Sequence, residues 1–298
     1  MRRRPFTALF VIVAVVTALI PSATAVAQPR YFISVDMEGI GGIGTAAMTS
    51  ATGKDYQTGR ELMTEEVNAV VAAIFAVGPA EIIVNDSHGD MQNLLHERLD
   101  SRVEYIQGNI KPLGMVQDLD RSFTGAIFIG YHAMAGTVDG FLAHTGSGTV
   151  KGLWINDREV GEGGLNALYA GSVGVPVLLA AGDAAFAAEF SAISPGTRVV
   201  TTKTAIGGQV ARMPHPSVVR EELAAATRAA LVTRDAKRPV PVSEPVTVRI
   251  RFDTTTRSDI MESVPGVRRV DGYTVEFDAL TMAKAYKLIR LGYKYISW

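Results

Sequence analysis

The chain has 298 residues, 47% of them hydrophobic, enough to bury a sizeable core and to divide into two domains. Its 29 Lys and Arg nearly balance 30 Asp and Glu, with no basic surplus to bind nucleic acid. The absence of cysteine excludes disulfides and thiolate metal sites, so any zinc-class ion must be held by His, Asp and Glu.

The first 27 residues read as a signal peptide. Arg2, Arg3 and Arg4 form a basic start, Phe6 to Ile20 an apolar stretch, and Ala25-Val26-Ala27 a small-x-small cleavage signal before Gln28, with Ala23-Thr24-Ala25 as the alternative site. The apolar stretch is shorter than the roughly 20 residues that span a bilayer. The paired arginines resemble a twin-arginine signal only loosely. Export to the periplasm or beyond is expected, with no membrane attachment after cleavage. Removing residues 1–27 takes away three arginines and no acid, leaving 26 basic against 30 acidic residues.

Tyr31 to Gly39 (YFISVDMEG) then reads as a buried strand running into Asp36 and Glu38. The glycine cluster Gly39 to Thr45 lacks the helix that a dinucleotide fingerprint requires and reads as a loop. Apolar residues at Leu62, Met63, Val67, Val70, Val71, Ile74 and Phe75 predict an amphipathic helix within Gly59 to Val77, closed by Gly78-Pro79. A strand at Ile82 to Asn85 leads to His88. A helix near Met91 to Leu99, a strand at Val103 to Ile106 and a helix near Pro112 to Leu119 follow. The strand Ala126 to Ile129 leads to His132, and a loop runs through Phe141 to Lys151. A helical segment at Gly163 to Ala170 precedes the apolar run Val175 to Asp183, where Asp183 reads as the N-cap of the next helix.

Strands alternating with helices predict an α/β fold with a mostly parallel sheet flanked by helices over residues 28–195. Residues 196–298 read as a smaller C-terminal α+β domain. Its strands are expected at Val199 to Lys203, Val246 to Phe252 and Thr274 to Phe277, and its helices at Glu221 to Leu231 and Leu280 to Leu291. The proline-rich stretch Lys237 to Pro245 reads as a connector. His96 and His215 read as solvated or loop histidines.

In an open α/β sheet, ligands bind beyond the carboxyl ends of the strands. Asp36, Glu38, His88 and His132 would therefore converge on one edge, and Glu162, between glycines, can bend in to join them. Carboxylates and imidazoles gathered in this way suit a zinc-class cation, with manganese and cobalt as alternatives.

The stretches SVDMEGI, IVNDSH, IKPLGMVQDLD, FIGYHA, INDREVGEGGLNA and VPVLLAAGD together resemble the D-aminopeptidase family of zinc peptidases, in the family's order and over nearly the whole mature chain. The resemblance implies two divalent ions per chain, with Asp36, Glu38, His88, His132 and Glu162 as ligands. It marks His144, in FLAHT, as the catalytic residue, and it implies a ring-like homo-oligomer acting on short peptides. The residues around His144 depart from the founding pattern, which bears on substrate preference. Together with export, the resemblance implies wall-derived peptides containing D-residues as a substrate pool.

Two ions roughly 3.5–4 Å apart lower the pKa of a bridging water from 15.7 towards about 7. Asp36, nearest the strand end, is the candidate bridge. His144 then serves as proton donor to the leaving amine or as stabiliser of the tetrahedral intermediate, unless it only makes a structural hydrogen bond. An amidase or phosphoesterase on the same site, or an exported peptide-binding protein without catalysis, are the competing functions.

Overall fold

The computed structural model describes residues 28–296, together with the isolated positions Met1 and Ala8. The expected signal peptide therefore lies outside the described residues. In chain order the elements are β1 (Arg30–Val35), α1 (Tyr56–Val77), β2 (Glu81–Asp86), β3 (Glu104–Ile106), β4 (Gly125–Tyr131), β5 (Val150–Ile155), β6 (Arg158–Glu159), α2 (Glu162–Ser172) and β7 (Val177–Asp183). Then follow α3 (Ala184–Ile193), β8 (Arg198–Gly207), β9 (Val210–Arg212), α4 (Pro216–Val232), β10 (Val246–Phe252), α5 (Thr255–Glu262), β11 (Arg268–Arg269), β12 (Thr274–Ala279) and α6 (Met282–Arg290).

Strands that are apolar at nearly every position must be covered on both faces. Those of β1, β2, β4 and β7 form the middle of a sheet ordered β3-β2-β1-β4-β7-β8-β9. All its pairings are parallel except the last, β8 with β9. Successive residues of β1 point to opposite faces. Ile33 and Val35 join the core containing Val67 and Val70 of α1 and Val219 and Leu223 of α4. Phe32 joins the other core, with Leu165 of α2 and Phe186 and Phe190 of α3. The result is an α/β fold with a mostly parallel sheet flanked by helices.

A second sheet, entirely antiparallel, is ordered β11-β12-β10-β5-β6. The two sheets do not separate at the expected division between residues 195 and 196. β8 and β9 extend the large sheet, while β5, which begins at the end of the expected loop, and β6, for which no element was expected, pair into the small one. The edge of β10 is what recruits β5, a partner nearly a hundred residues earlier that no local pattern announces.

Two expected helices also give way. Between Met91 and Leu99 the backbone N–H groups of Asn93 and Leu94 donate to the buried Asp86 carboxylate at 2.6 and 2.8 Å, instead of to a helical ladder. From Pro112 to Leu119 only one 3-10 turn forms, Gly114–Val116. The strand at Val103 to Ile106 shortens to β3. The remaining expected helices and strands are present, and α5 is an addition. Asp183 caps α3 through Phe186 N at 3.2 Å, as expected, and it also accepts from Phe141 N at 3.0 Å, anchoring the loop that leads to His144.

The order β3-β2-β1-β4-β7-β8 reverses direction between β1 and β4. Chain connections leave to opposite sides there, opening the crevice where such sheets bind ligands. Two glycines let the chain close tightly around it. A Cβ on Gly39 would overlap Tyr131 O, and Gly130 sits at φ +75°, where its own Cβ would overlap Asp36 O.

Candidate metal centre

Asp36 follows β1 directly, and its N–H still donates to Ile129 O of β4 at 2.8 Å, which plants it in the crevice at the reversal point. His132 follows β4 in the same way. Ser87 N donates to Val35 O at 2.8 Å, holding the exit of β2 alongside and placing His88 opposite. Glu162 opens α2, where the positive end of the helix favours a carboxylate. Thus the four strand-end residues, Glu162 and His144 are brought together.

His88 Nδ1 lies 3.1 Å from Asp36 Oδ1 and 2.9 Å from Glu38 Oε2. His132 Nε2 lies 3.4 Å from Asp36 Oδ2 and 3.5 Å from Glu162 Oε2. His144 Nε2 lies 3.6 Å from Glu162 Oε1, which also accepts from Gly146 N at 2.6 Å. Asp36, Glu38, His132 and Glu162 are buried, and His88 nearly so.

Each histidine has its other ring nitrogen against a backbone carbonyl. His88 Nε2 meets Thr49 O at 2.8 Å, His132 Nδ1 meets Ala133 O at 2.9 Å, and His144 Nδ1 meets Leu142 O at 2.9 Å. A carbonyl only accepts, so those nitrogens carry the protons and the opposite nitrogens present lone pairs to the carboxylates. Lone pairs facing carboxylates repel unless a cation lies between them. The same arrangement, imidazole fixed by a carbonyl, is how metal-ligating histidines are oriented.

The fit to a metal is therefore good. Asp36 Oδ2 and His132 Nε2 are buried without any hydrogen-bond partner, which is costly unless something else satisfies them. Two groups have atoms close enough together to hold an ion: Asp36, Glu38 and His132, and His132, His144 and Glu162. The ionisation of the groups tells the same story. Burial alone pulls His88 and His132 down, yet Glu38 and Glu162 respectively, with Asp36, carry them well above the usual histidine range. Burial would raise Glu38, but His88 beside it brings it well below the usual carboxylate value. Asp36 is raised by burial and then by Glu38, because ionising a second buried carboxyl beside the first is unfavourable. Positive charge, here a proton and in a metal centre an ion, is what this cluster demands.

Several residues at the site were not singled out in the sequence. Ser34 Oγ bonds Tyr131 OH at 2.6 Å, Asn166 Nδ2 donates to Tyr131 OH at 2.9 Å, and Tyr286 OH donates to Asn166 Oδ1 at 2.6 Å. This buried chain ties the crevice floor to α2 and α6. Lys203 Nζ donates to Glu38 O at 2.6 Å and Ile43 O at 2.7 Å, fixing the loop behind Glu38. Burial brings Lys203 down to about 7. The available signal was polar residues interrupting apolar strands, as at Ser34 and Lys203. Met115, Arg290, Tyr293 and Lys294 line the same cavity of about 270 Å³ as Asp36, His88, His144 and Glu162. His96 is exposed, and His215 caps α4 at the surface.

A doubly wound sheet carrying buried carboxylates and carbonyl-fixed histidines at its reversal point defines a hydrolase-like metal centre. The D-aminopeptidase peptidase family M55 matches residues 30–291. The D-aminopeptidase of Bacillus subtilis (strain 168) is 37% identical over 259 residues, covering 87% of this chain and 94% of that protein. The solved structure of the Zn-dependent D-aminopeptidase DppA from Bacillus subtilis, a self-compartmentalizing protease, is 35% identical and superposes with a TM-score of 0.87. It covers 90% of this chain and 97% of its own. The chain belongs to the D-aminopeptidase family. It is a hydrolase, an aminopeptidase.

Proposed function

We propose that the protein is a zinc aminopeptidase that removes the N-terminal residue from short peptides beginning with a D-amino acid, and that two ions are held per chain. The observation that carries this reading is the carbonyl-fixed trio His88, His132 and His144 facing Asp36, Glu38 and Glu162, with Asp36 Oδ2 and His132 Nε2 unsatisfied between them. Asp36, Glu38, His88, His132 and Glu162 would hold the metal. When bound, zinc supplies a Lewis acid and lowers the pKa of a coordinated water.

The chain's own residues do the rest. His144 Nδ1 is committed to Leu142 O, so Nε2, which faces Glu162, is the nitrogen that takes up a proton and releases it. From there it passes to the leaving nitrogen of the scissile bond, a transfer worth about 10²- to 10⁴-fold in rate. Glu162 Oε1, shared between His144 and Gly146 N, keeps the ring in place. The side chain of His144 is 28% exposed, enough to meet a substrate, whereas that of His132 is sealed at 1%.

A homo-oligomer that encloses the sites is part of the proposal, supported by the self-compartmentalizing assembly of the DppA neighbour. So is export, supported by the basic start, the apolar stretch and the small-x-small motif of residues 1–27. Metal analysis joined to a substrate panel tests the central reading. Expected are two equivalents of zinc, preference for D- over L-aminoacyl amides and dipeptides, loss of activity with chelator, and no hydrolysis of p-nitrophenyl phosphate. Phosphatase activity, or binding of peptides without turnover, would overturn it.

A further inference from the structure

The cavity that carries the metal-binding carboxylates is also lined by cationic residues. Arg290, the last residue of α6, lines it and is 1% exposed. No carboxylate pairs with it among the described residues. Its Nε and Nη2 have no hydrogen-bond partner, and its Nη1 reaches Tyr293 OH at 3.5 Å. The groups acting on it are the hydroxyls of Tyr293, Tyr286 and Tyr295, the last through a side-chain hydrogen bond, and none of them is a carboxylate. Lys294 lines the cavity beside it, and both Lys294 and Lys111, which lies outside the lining, feel its charge. Lys111 is spoken for by Asn85 Oδ1, Asp86 O and Ile106 O, and Lys294 by Gly89 O. Of the three, Arg290 is the one with two buried donors, Nε and Nη2, left unpartnered.

A buried guanidinium without an anion is among the most expensive groups a protein can hold. Packing does not require it: its far end presses on Gly114, at φ +49°, where any Cβ would overlap Nη1. The loop has thus been left without a side chain at the point where the charge enters. The Nε and Nη2 pair is the geometry that grips a carboxylate with two parallel hydrogen bonds.

We propose that Arg290 is the specificity residue that receives the C-terminal carboxylate of a short peptide whose amino end lies at the Asp36–Glu162 wall. This inference rests on the aminopeptidase reading and narrows it. The cavity, of about 270 Å³, is lined both by the metal-binding acids Asp36 and Glu162 and by the basic Arg290 and Lys294, and its volume suits a dipeptide or little more. A zwitterionic peptide matches that polarity. A C-terminal amide of the same length lacks the charge and leaves Arg290 unpaired.

The test uses the zinc-loaded wild-type protein with D-Ala-D-Ala and with D-Ala-D-Ala amide. The free acid should be hydrolysed with a kcat/KM about 10- to 100-fold higher, the worth of a charge-assisted pair. In Arg290→Gln that ratio should fall to about one, and Arg290→Lys should keep part of it. Equal kcat/KM for acid and amide in the wild type would overturn the proposal without any variant, as would a ratio undiminished in Arg290→Gln. Should the wild type hydrolyse neither compound, the aminopeptidase reading fails and calorimetric titration decides about Arg290 on its own. Tighter binding of the acid, lost in Arg290→Gln, sustains it, and equal binding of acid and amide sinks it.

Discussion

His132 and His144 lie ring on ring, with centroids 4.1 Å apart and planes 17° from parallel, and both face the one carboxylate of Glu162. Glu162 divides its two oxygens between them, Oε2 to His132 and Oε1 to His144. Under the proposed function, His132 would be a metal ligand and His144 the proton carrier, a division that suits the burial of the first ring and the exposure of the second.

This division of labour predicts that His144→Ala retains its full metal content while kcat falls about 10²- to 10⁴-fold. Elemental analysis beside steady-state kinetics checks it. Loss of metal in that variant would make His144 a ligand, and unchanged kcat would reduce it to a structural residue.

Asp36 faces both His88 and His132 through different oxygens, the position of a carboxylate shared by two ions. Asp36→Ala is expected to lose most bound zinc and nearly all activity. Retention of two equivalents with ordinary turnover would show that it bridges nothing.

The loop that carries His88 hangs on Asp86, which accepts from Asn93 N, Asn93 Nδ2, Leu94 N and Gln107 Nε2. Asp86→Ala leaves these buried donors unsatisfied, at about 1–3 kcal/mol each. A lowered Tm should be accompanied by zinc affinity weaker by about 10- to 100-fold, because His88 loses its support. Thermal melts and competition with a chelator report the two effects separately. A drop in Tm with unaltered affinity would show that His88 is held independently.

Glu66 is buried on α1, and burial raises it to about 8 although its Oε1 accepts from Gly41 N at 2.6 Å. A carboxyl whose folded pKa is raised above its unfolded value, here 4.5, stabilises fully below 4.5 and loses that contribution as the pH climbs to about 8. Wild-type stability relative to Glu66→Gln should fall across that window with a slope approaching about 1.4 kcal/mol per pH unit. Parallel denaturation curves at pH 5, 6, 7 and 8 test it, since terms common to both proteins cancel. A constant difference between the two would mean that Glu66 is ionised throughout.

The sequence alone determined the strands of the sheet's centre, because β1, β2, β4 and β7 are buried on both faces and must read as unbroken apolar runs. With the strands came the positions of Asp36, Glu38, His88 and His132, since ligands in such a sheet lie where the strands end. Glu162 stood out by its flanking glycines, and His144 was identified only by resemblance to a family, as its own surroundings are an irregular loop. Tertiary structure decided what depends on distant partners. β5 is a strand only because β10 offers an edge, and Met91 to Leu99 is not a helix because Asp86 takes its N–H groups. Arg290 shows the limit most plainly: in the sequence it is an ordinary basic residue in the last turn of a helix. Its meaning comes from folding, which buries it without a carboxylate partner among the described residues, in the lining of the cavity that Asp36 and Glu162 share, more than a hundred residues away.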